Sequence, residues 1–125
     1  MLLSHDSTKP IYMQIAEQIE DEILTSVLKE GDQVYSTNQI ASMYKINPAT
    51  AGKGINLLVD DGILHKRRGL GMFVSDGAVA IIQANRKQLF YDDYMLKALI
   101  EAKKLNISKN ELLNYINNFD FSKTD

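Results

Sequence analysis

The chain has 125 residues, 45% of them apolar and 24% charged, enough for one compact domain with a modest core and an appendage. It contains no cysteine, which removes disulfides, thiolate catalysis and cysteine-ligated zinc or iron–sulfur sites and fits a reducing cytoplasm. The net charge of −2 is unevenly spread, at −5 over residues 1–33, +3 over 34–75 and 0 over 76–125, so only the middle third attracts a polyanion.

The N-terminal MLLSHDSTKP carries an early acid and no long apolar run, which argues against a signal peptide. No stretch approaches the roughly 18 apolar residues of a membrane span. The first periodic segment covers about residues 11–27. Ile11, Ile15, Ile19 and Ile23 recur at four-residue steps, with Ala16, Leu24 and Val27 beside them, which makes one apolar helix face. Pro10 suits its first turn, and Glu17, Glu20, Asp21 and Glu22 form a solvated face. Lys29-Glu30-Gly31-Asp32 reads as a turn.

Ser36-Thr37-Asn38-Gln39 has the pattern of a capping box. It predicts a short helix with Ile40, Ala41 and Met43 on its apolar side, ending near Tyr44. Asn47-Pro48 is a second start signal, for a helix that turns Ala51, Ile55, Leu58 and Val59 inward and stops at Gly62. Only Lys45-Ile46-Asn47 separates the two, the spacing of a tight helix–turn–helix joint. Residues 63–66 and 72–74 predict two short strands. Residues 67–71 form the turn between them, with Gly69 and Gly71 supplying positive φ.

Residues 78–105 lack proline and glycine and predict a long helix, with a kink near Phe90 left open. Tyr91, Met95, Ala98, Leu99 and Ala102 lie on one stripe, and Leu89, Leu96, Ile100 and Lys103 on another. Two apolar faces suit a helix that packs on its own domain and on a partner chain; the bland alternative is one broad face covering the domain. Ser108-Lys109-Asn110-Glu111 is a further capping-box pattern, opening a last helix with Leu112, Ile116 and Phe119 on one side. Residues 121–125 read as a loose tail.

The chemistry concentrates in the middle third. A helix that enters a major groove projects small or polar residues from its first half. Asn47, Ala49, Thr50, Gly52, Lys53 and Asn56 meet that need. Gly52 and Gly54 each cost a helix about 1 kcal/mol relative to alanine; close approach to DNA is the expected reason at Gly52, and helix–helix packing at Gly54. Lys66, Arg67 and Arg68, beside a glycine turn, can clamp phosphates or enter a minor groove; a solvated hairpin edge is the plain alternative. No serine–histidine–acid spacing or phosphate loop appears, and Gly69-Leu70-Gly71 is too short for a dinucleotide fingerprint. His5 and His65 are far apart and unaccompanied by cysteine, so neither a metal nor a cofactor is expected, nor an enzyme.

These segments carry a resemblance. PIYMQIAEQIEDEILTSVLKEGDQV followed by STNQIASMYKINPATAGKGINLLVDDGILHKRRGLGMFVS is similar to the DNA-binding domain of GntR-family bacterial transcription regulators. The similarity covers residues 10 to about 75. It rests on the opening through Gln14-Ile15, the Lys29-Glu30-Gly31-Asp32 turn, the Asp61-Gly62-Ile63-Leu64 exit and the glycine-turned wing from Arg67 to Val74. Ile46-Asn47-Pro48-Ala49-Thr50 and the short helical C-terminus resemble the YtrA-like subfamily in particular.

The resemblance implies an α+β, mainly helical fold. A winged helix–turn–helix would occupy residues 1–76, a helical dimerisation segment 77–120 and the tail 121–125. It implies DNA contacts from Ser36, Thr37 and Asn38, from Asn47, Ala49, Thr50, Gly52 and Lys53, and from Lys66, Arg67, Arg68, Gly69, Leu70 and Gly71. The dimer interface would include Leu89, Phe90, Leu96 and Ile100. The family's usual Pro-Ser-x-Arg is here Tyr35-Ser36-Thr37-Asn38. Asn38 can pair with an adenine edge or a phosphate but brings no charge. The implied function is a cytoplasmic, homodimeric, sequence-specific repressor on a double-stranded operator of a transporter-type operon. Any small-molecule effector would need a pocket that the sequence does not name. The alternative from a different class is a winged-helix module for protein–protein contact with DNA binding weakened or lost.

Overall fold

The computed structural model describes residues 3–5 and 7–123. It forms two compact units, within residues 1–85 and 86–125. In the first, helices α1 (Ile11–Leu24), α2 (Thr37–Tyr44) and α3 (Pro48–Asp60) precede an antiparallel hairpin of β1 (Leu64–Arg67) and β2 (Gly71–Val74). Helix α4 (Ala78–Leu89) follows the hairpin and buries Ala78 and Ile82 in the first unit's core.

Most of the helical core follows the apolar spacing. Ile15, Ile19 and Ile23 of α1 meet Ile40 of α2 and Ala51, Ile55 and Leu58 of α3, with Ile63, Leu64 and Val74 closing it from the hairpin. Fully burying an isoleucine or leucine side chain is worth about 1.5–3 kcal/mol, so this cluster supplies most of the drive to fold.

Local chemistry sets the helix ends. The Ser36 side chain accepts from the Gln39 amide while the Gln39 side chain accepts from the Ser36 amide, so two otherwise orphaned donors are satisfied at the start of α2. Asn47 Oδ1 accepts from the Ala49 amide at 2.8 Å, with Pro48 first in α3. Gly62, at φ +79°, takes the left-handed stop after α3.

Two apolar residues lie elsewhere than expected. Helix α1 ends at Leu24, where Thr25 Oγ1 donates to the Asp21 carbonyl and Ser26 turns the chain at φ +66°. Val27 is therefore 67% exposed, and Leu28 packs on the core instead. Met43 is also exposed, because α2 has only two turns and directs Ile40, Ala41 and Tyr44 inward.

One bond pair ties the α1–α2 connection to α4. The Gly77 and Val79 amides donate to the two Glu30 carboxylate oxygens, at 2.8 and 3.1 Å. The carboxylate thereby caps donors that a helix N-terminus leaves free and sits at the positive end of the helix dipole. The Gly77 bond first, then that from Val79, holds the Glu30 carboxyl below the usual carboxylate range. A depressed folded-state value means stability that is present above the unfolded value and lost as pH falls through the folded one. Glu30→Ala should therefore melt below the parent at pH 7, and the gap should close as pH falls below about 4.3, the ordinary glutamate value. Parallel melts of both proteins from pH 7 to pH 3 check this; a gap independent of pH would refute it.

In the second unit the chain continues from α4 through a π-helical turn (Phe90–Met95) into α5 (Leu96–Lys104), and then into α6 (Lys109–Asn118). The predicted long helix is thus continuous but changes register at Phe90. Each widened turn accommodates an extra residue, so side-chain stripes counted at 3.6 residues per turn do not carry across it. Ser108 caps α6, its Oγ accepting from the Glu111 amide at 3.1 Å. Ala102 alone is buried among the described residues of this unit, while Leu89, Phe90, Leu96, Leu99 and Ile100 are exposed. Beyond α6, Asp120 Oδ1 accepts from the Ser122 amide at 2.9 Å, a short turn. Residues 124 and 125 of the expected tail lie outside the described residues.

Candidate nucleic-acid interface

Helices α2 and α3 form the helix–turn–helix joint. Lys45 takes the left-handed position at φ 53° and ψ 51°, and the Ile46 amide donates to the Ala41 carbonyl at 3.0 Å. The chain reverses in three residues and starts α3 against α2. The first residue of α2 meets the second turn of α3: a Cβ placed on Gly52 would lie 3.6 Å from Thr37 Cγ2. Ser36, Thr37 and Asn38 are thereby brought beside the first half of α3.

The expected residues on these helices differ in freedom. Asn38, Asn47, Ala49 and Lys53 are exposed, and Thr37, Thr50 and Gly52 are half-buried. The Ser36 hydroxyl is engaged as a cap. Asn47 uses its carbonyl oxygen as a cap and keeps its amide N–H groups. Asn38 makes no side-chain hydrogen bond among the described residues. Lys53 Nζ lies 4.1 Å from the centroid of the Tyr12 ring, so a ring on α1 holds the ammonium of α3 by its quadrupole.

Gly54 faces the other way. A Cβ there would lie 2.7 Å from the Tyr12 carbonyl oxygen and 3.3 Å from Ile15 Cγ2. This is the helix packing expected of it, and it brings α1 and its Tyr12 close to α3.

The hairpin pairs Leu64 with Val74, His65 with Phe73, Lys66 with Met72 and Arg67 with Gly71. Alternation gives one face Leu64 and Val74, which are buried, and the other His65, Arg67 and Phe73. The Arg67 guanidinium lies 4.3 Å from the Phe73 ring centroid. Its Nε–H donates to His65 Nε2 at 3.3 Å, which leaves Nδ1–H to donate to Ser75 Oγ at 3.0 Å. Arg67 is thus laid along its own hairpin. Lys66 and Arg68 are exposed and form no ion pair among the described residues.

At the tip, the Leu70 amide donates to the Arg67 carbonyl at 2.9 Å and Gly69 takes φ +77°, a four-residue turn with glycine third. Leu70 is 63% exposed, between two glycines. Residues 31–34 run along β2, joined to it by an isolated antiparallel bridge between Gln33 and Phe73. The Gly31 amide donates to the Val74 carbonyl, the Val74 amide to the Asp32 carbonyl and the Val34 amide to the Met72 carbonyl, all at 2.8–2.9 Å.

Tyr12, His65, Phe73 and Gln33 each support an expected site residue. His65 and Phe73 announce themselves through the alternation of a hairpin. Tyr12 and Gln33 meet their partners across the fold, and no local pattern in the sequence marks them.

Comparison with known proteins identifies the fold and the family. The family described as "Bacterial regulatory proteins, gntR family" matches residues 11–74. The chain is 32% identical over 108 residues to the HTH-type transcriptional repressor YtrA of Bacillus subtilis (strain 168), covering 80% of this chain and 82% of that protein. A GntR family transcriptional regulator from Listeria monocytogenes has the same fold, with a TM-score of 0.74 at 24% identity over 92% of this chain and 99% of that one. AraR(DBD), solved in complex with operator ORX1, is similar at a TM-score of 0.54 and 25% identity, over 60% of this chain and 93% of that one.

Proposed function

The chain belongs to the GntR family and is a DNA-binding transcription regulator, and on that premise we propose that it acts as a homodimeric repressor on a roughly palindromic operator. One observation carries the DNA-facing part: α3 opens with exposed small and polar residues, and the hairpin that follows it carries three exposed cations at a glycine turn. The first meets the shape requirement of a major groove, and the second supplies the phosphate attraction that the acidic remainder of the chain lacks. In this reading Asn38, Ala49, Thr50 and Lys53 face the major groove. Lys66 and Arg68 reach phosphate, with Arg67 held on Phe73 at the groove edge. Repression is supported by the YtrA relative, whose own name is that of a repressor. The dimer is supported by the exposed Leu89, Phe90, Leu96 and Ile100. The site of action is the cytoplasm, and no described helix is long and apolar enough to cross a membrane.

Salt dependence tests the assignment of the cations. Log affinity falls linearly with log salt, by about 0.9 for each phosphate neutralised. Lys66→Ala with Arg68→Ala should flatten that slope by about 2 and weaken binding to all sequences alike. Anisotropy titrations between low and physiological salt read both. An unchanged slope would remove the wing from the interface. Absence of DNA binding by the parent protein would return the chain to the reading of a protein–protein module.

A further inference from the structure

We propose that Gln33 is the positioning residue of the wing, its side-chain amide fixing the tip so that Leu70 meets DNA in one preset conformation. The proposal rests on the DNA-binding reading above and adds to it a residue that need not touch DNA itself.

The wing has a support problem. Its strands have four residues each, and a two-stranded hairpin of that size is marginal in water. Leu64 and Val74 anchor its base in the core, but every residue from Lys66 to Gly71 is exposed. Among the described residues, the one hydrogen bond from outside the hairpin to the tip comes from Gln33. Its Nε2 donates to the Leu70 carbonyl at 2.6 Å, across 37 positions of sequence.

The surrounding backbone is arranged for that bond. Gln33 forms an antiparallel bridge with Phe73, and the backbone bonds on either side of it, from Gly31 and Val34 and to Asp32, fix its Cα beside β2, from where its side chain reaches the tip. Gly71 leaves the path open: a Cβ there would lie 2.8 Å from Gln33 Nε2, and its φ of +116° also excludes ordinary side chains. Gly69 at φ +77° makes the turn that presents the Leu70 carbonyl to the amide and the Leu70 side chain to solvent.

An exposed leucine between two glycines has the chemistry of a minor-groove wedge, an apolar side chain that presses on base steps or sugar edges. Such a contact discriminates among sequences through the deformability of the step it meets. It does so only if the tip is ordered, because ordering a loose loop on binding consumes the affinity gained. Gln33 orders the tip in advance.

The test uses the full chain and the duplex that the parent protein enriches from a random-sequence library. Gln33→Met keeps the shape and removes the donor; Gln33→Ala removes both. Each is compared with the parent for affinity to the enriched duplex and to a scrambled one, for salt slope, for melting temperature and for amide exchange at Leu70. The expected result is faster Leu70 exchange and a preference for the enriched duplex reduced about tenfold. Scrambled-duplex affinity, salt slope and melting temperature should stay at the parent's values, which separates positioning of the tip from a general loss of structure. A preference within twofold of the parent's, an equal loss on both duplexes, or unchanged Leu70 exchange overturns the proposal while leaving the DNA-binding reading intact. Failure of the parent to enrich any sequence overturns both.

Discussion

Gly54→Ala should lower the melting temperature of the DNA-binding unit by ~10 °C, whereas Gly52→Ala, two residues earlier in the same helix, should raise it by a few degrees. Intrinsic propensity favours both changes, since alanine is better than glycine in a helix interior by about 1 kcal/mol. Neither glycine has a positive φ. The difference is tertiary. At Gly54 the new methyl would stand 2.7 Å from the Tyr12 carbonyl oxygen and 3.3 Å from Ile15 Cγ2. The first is backbone within α1, so the helices must separate. Overpacking of this kind costs about 1–3 kcal/mol or more, and separating α1 from α3 also loosens contacts around the buried Ile15, Ile19 and Ile55. A net loss near 2 kcal/mol moves the midpoint of an 85-residue unit by ~10 °C. At Gly52 the methyl finds only Thr37 Cγ2 at 3.6 Å, an ordinary contact, so the propensity gain stands. If the backbone at Gly52 approaches DNA closely, the same stabilising change should weaken operator binding. Thermal unfolding and anisotropy on the two single variants read the whole pattern. Equal melting shifts for both would refute the packing role of Gly54, and full operator affinity in the stabilised Gly52 variant would refute close approach.

Charging the exposed face of α5, by Leu96→Glu with Ile100→Glu, should leave the first unit folded and cost two to four orders of magnitude in operator affinity. A dimer that places two recognition helices on two half-sites makes the second contact intramolecular, and avidity of this kind exceeds single-site affinity by about 10²–10⁴. Leu96 and Ile100 are exposed in the single chain, as are Leu89, Phe90 and Leu99. An apolar set of that density on a helix is unusual for a surface in water. A buried carboxylate without a partner is among the most costly groups an interface can hold. Light scattering at micromolar concentration should give twice the chain mass of 14.1 kDa for the parent and the single mass for the variant. Binding to a half-site duplex should be the same for both. A monomeric parent protein, or a variant that keeps its full operator affinity, would refute the interface.

The sequence was most legible where the deciding interaction is short in range. The Ser36–Gln39 box, the Asn47–Pro48 start, the Gly62 stop and the Gly69 turn each depend on groups within a few residues of one another. Residue type therefore sets their geometry almost wherever they occur. Isoleucine spacing in α1 was equally readable, because one face of that helix is buried along nearly its whole length. Periodicity misled where an element was short or its winding changed. Met43 sits on a helix of eight residues, too few to define a stripe. Val27 lies beyond a helix end that a threonine side chain and a left-handed serine bring forward. Stripes beyond Leu89 hold only at a constant 3.6 residues per turn, and the π-helical turn from Phe90 to Met95 breaks that period.

What the sequence by itself determined is the order of helices and strands, most of the core and the place of the basic wing. Each follows from side-chain chemistry acting on its immediate neighbours and from burial of a periodic apolar face. Only the tertiary structure decided how the candidate interface is supported. Tyr12 meets Lys53 because Gly54 lets α1 and α3 close together. Glu30 caps α4 from 47 residues away, and Gln33 holds Leu70 from 37 away. Such bonds join groups that share no local pattern. Their energy is too small to direct folding, and they form because the packed core has already brought their backbones together.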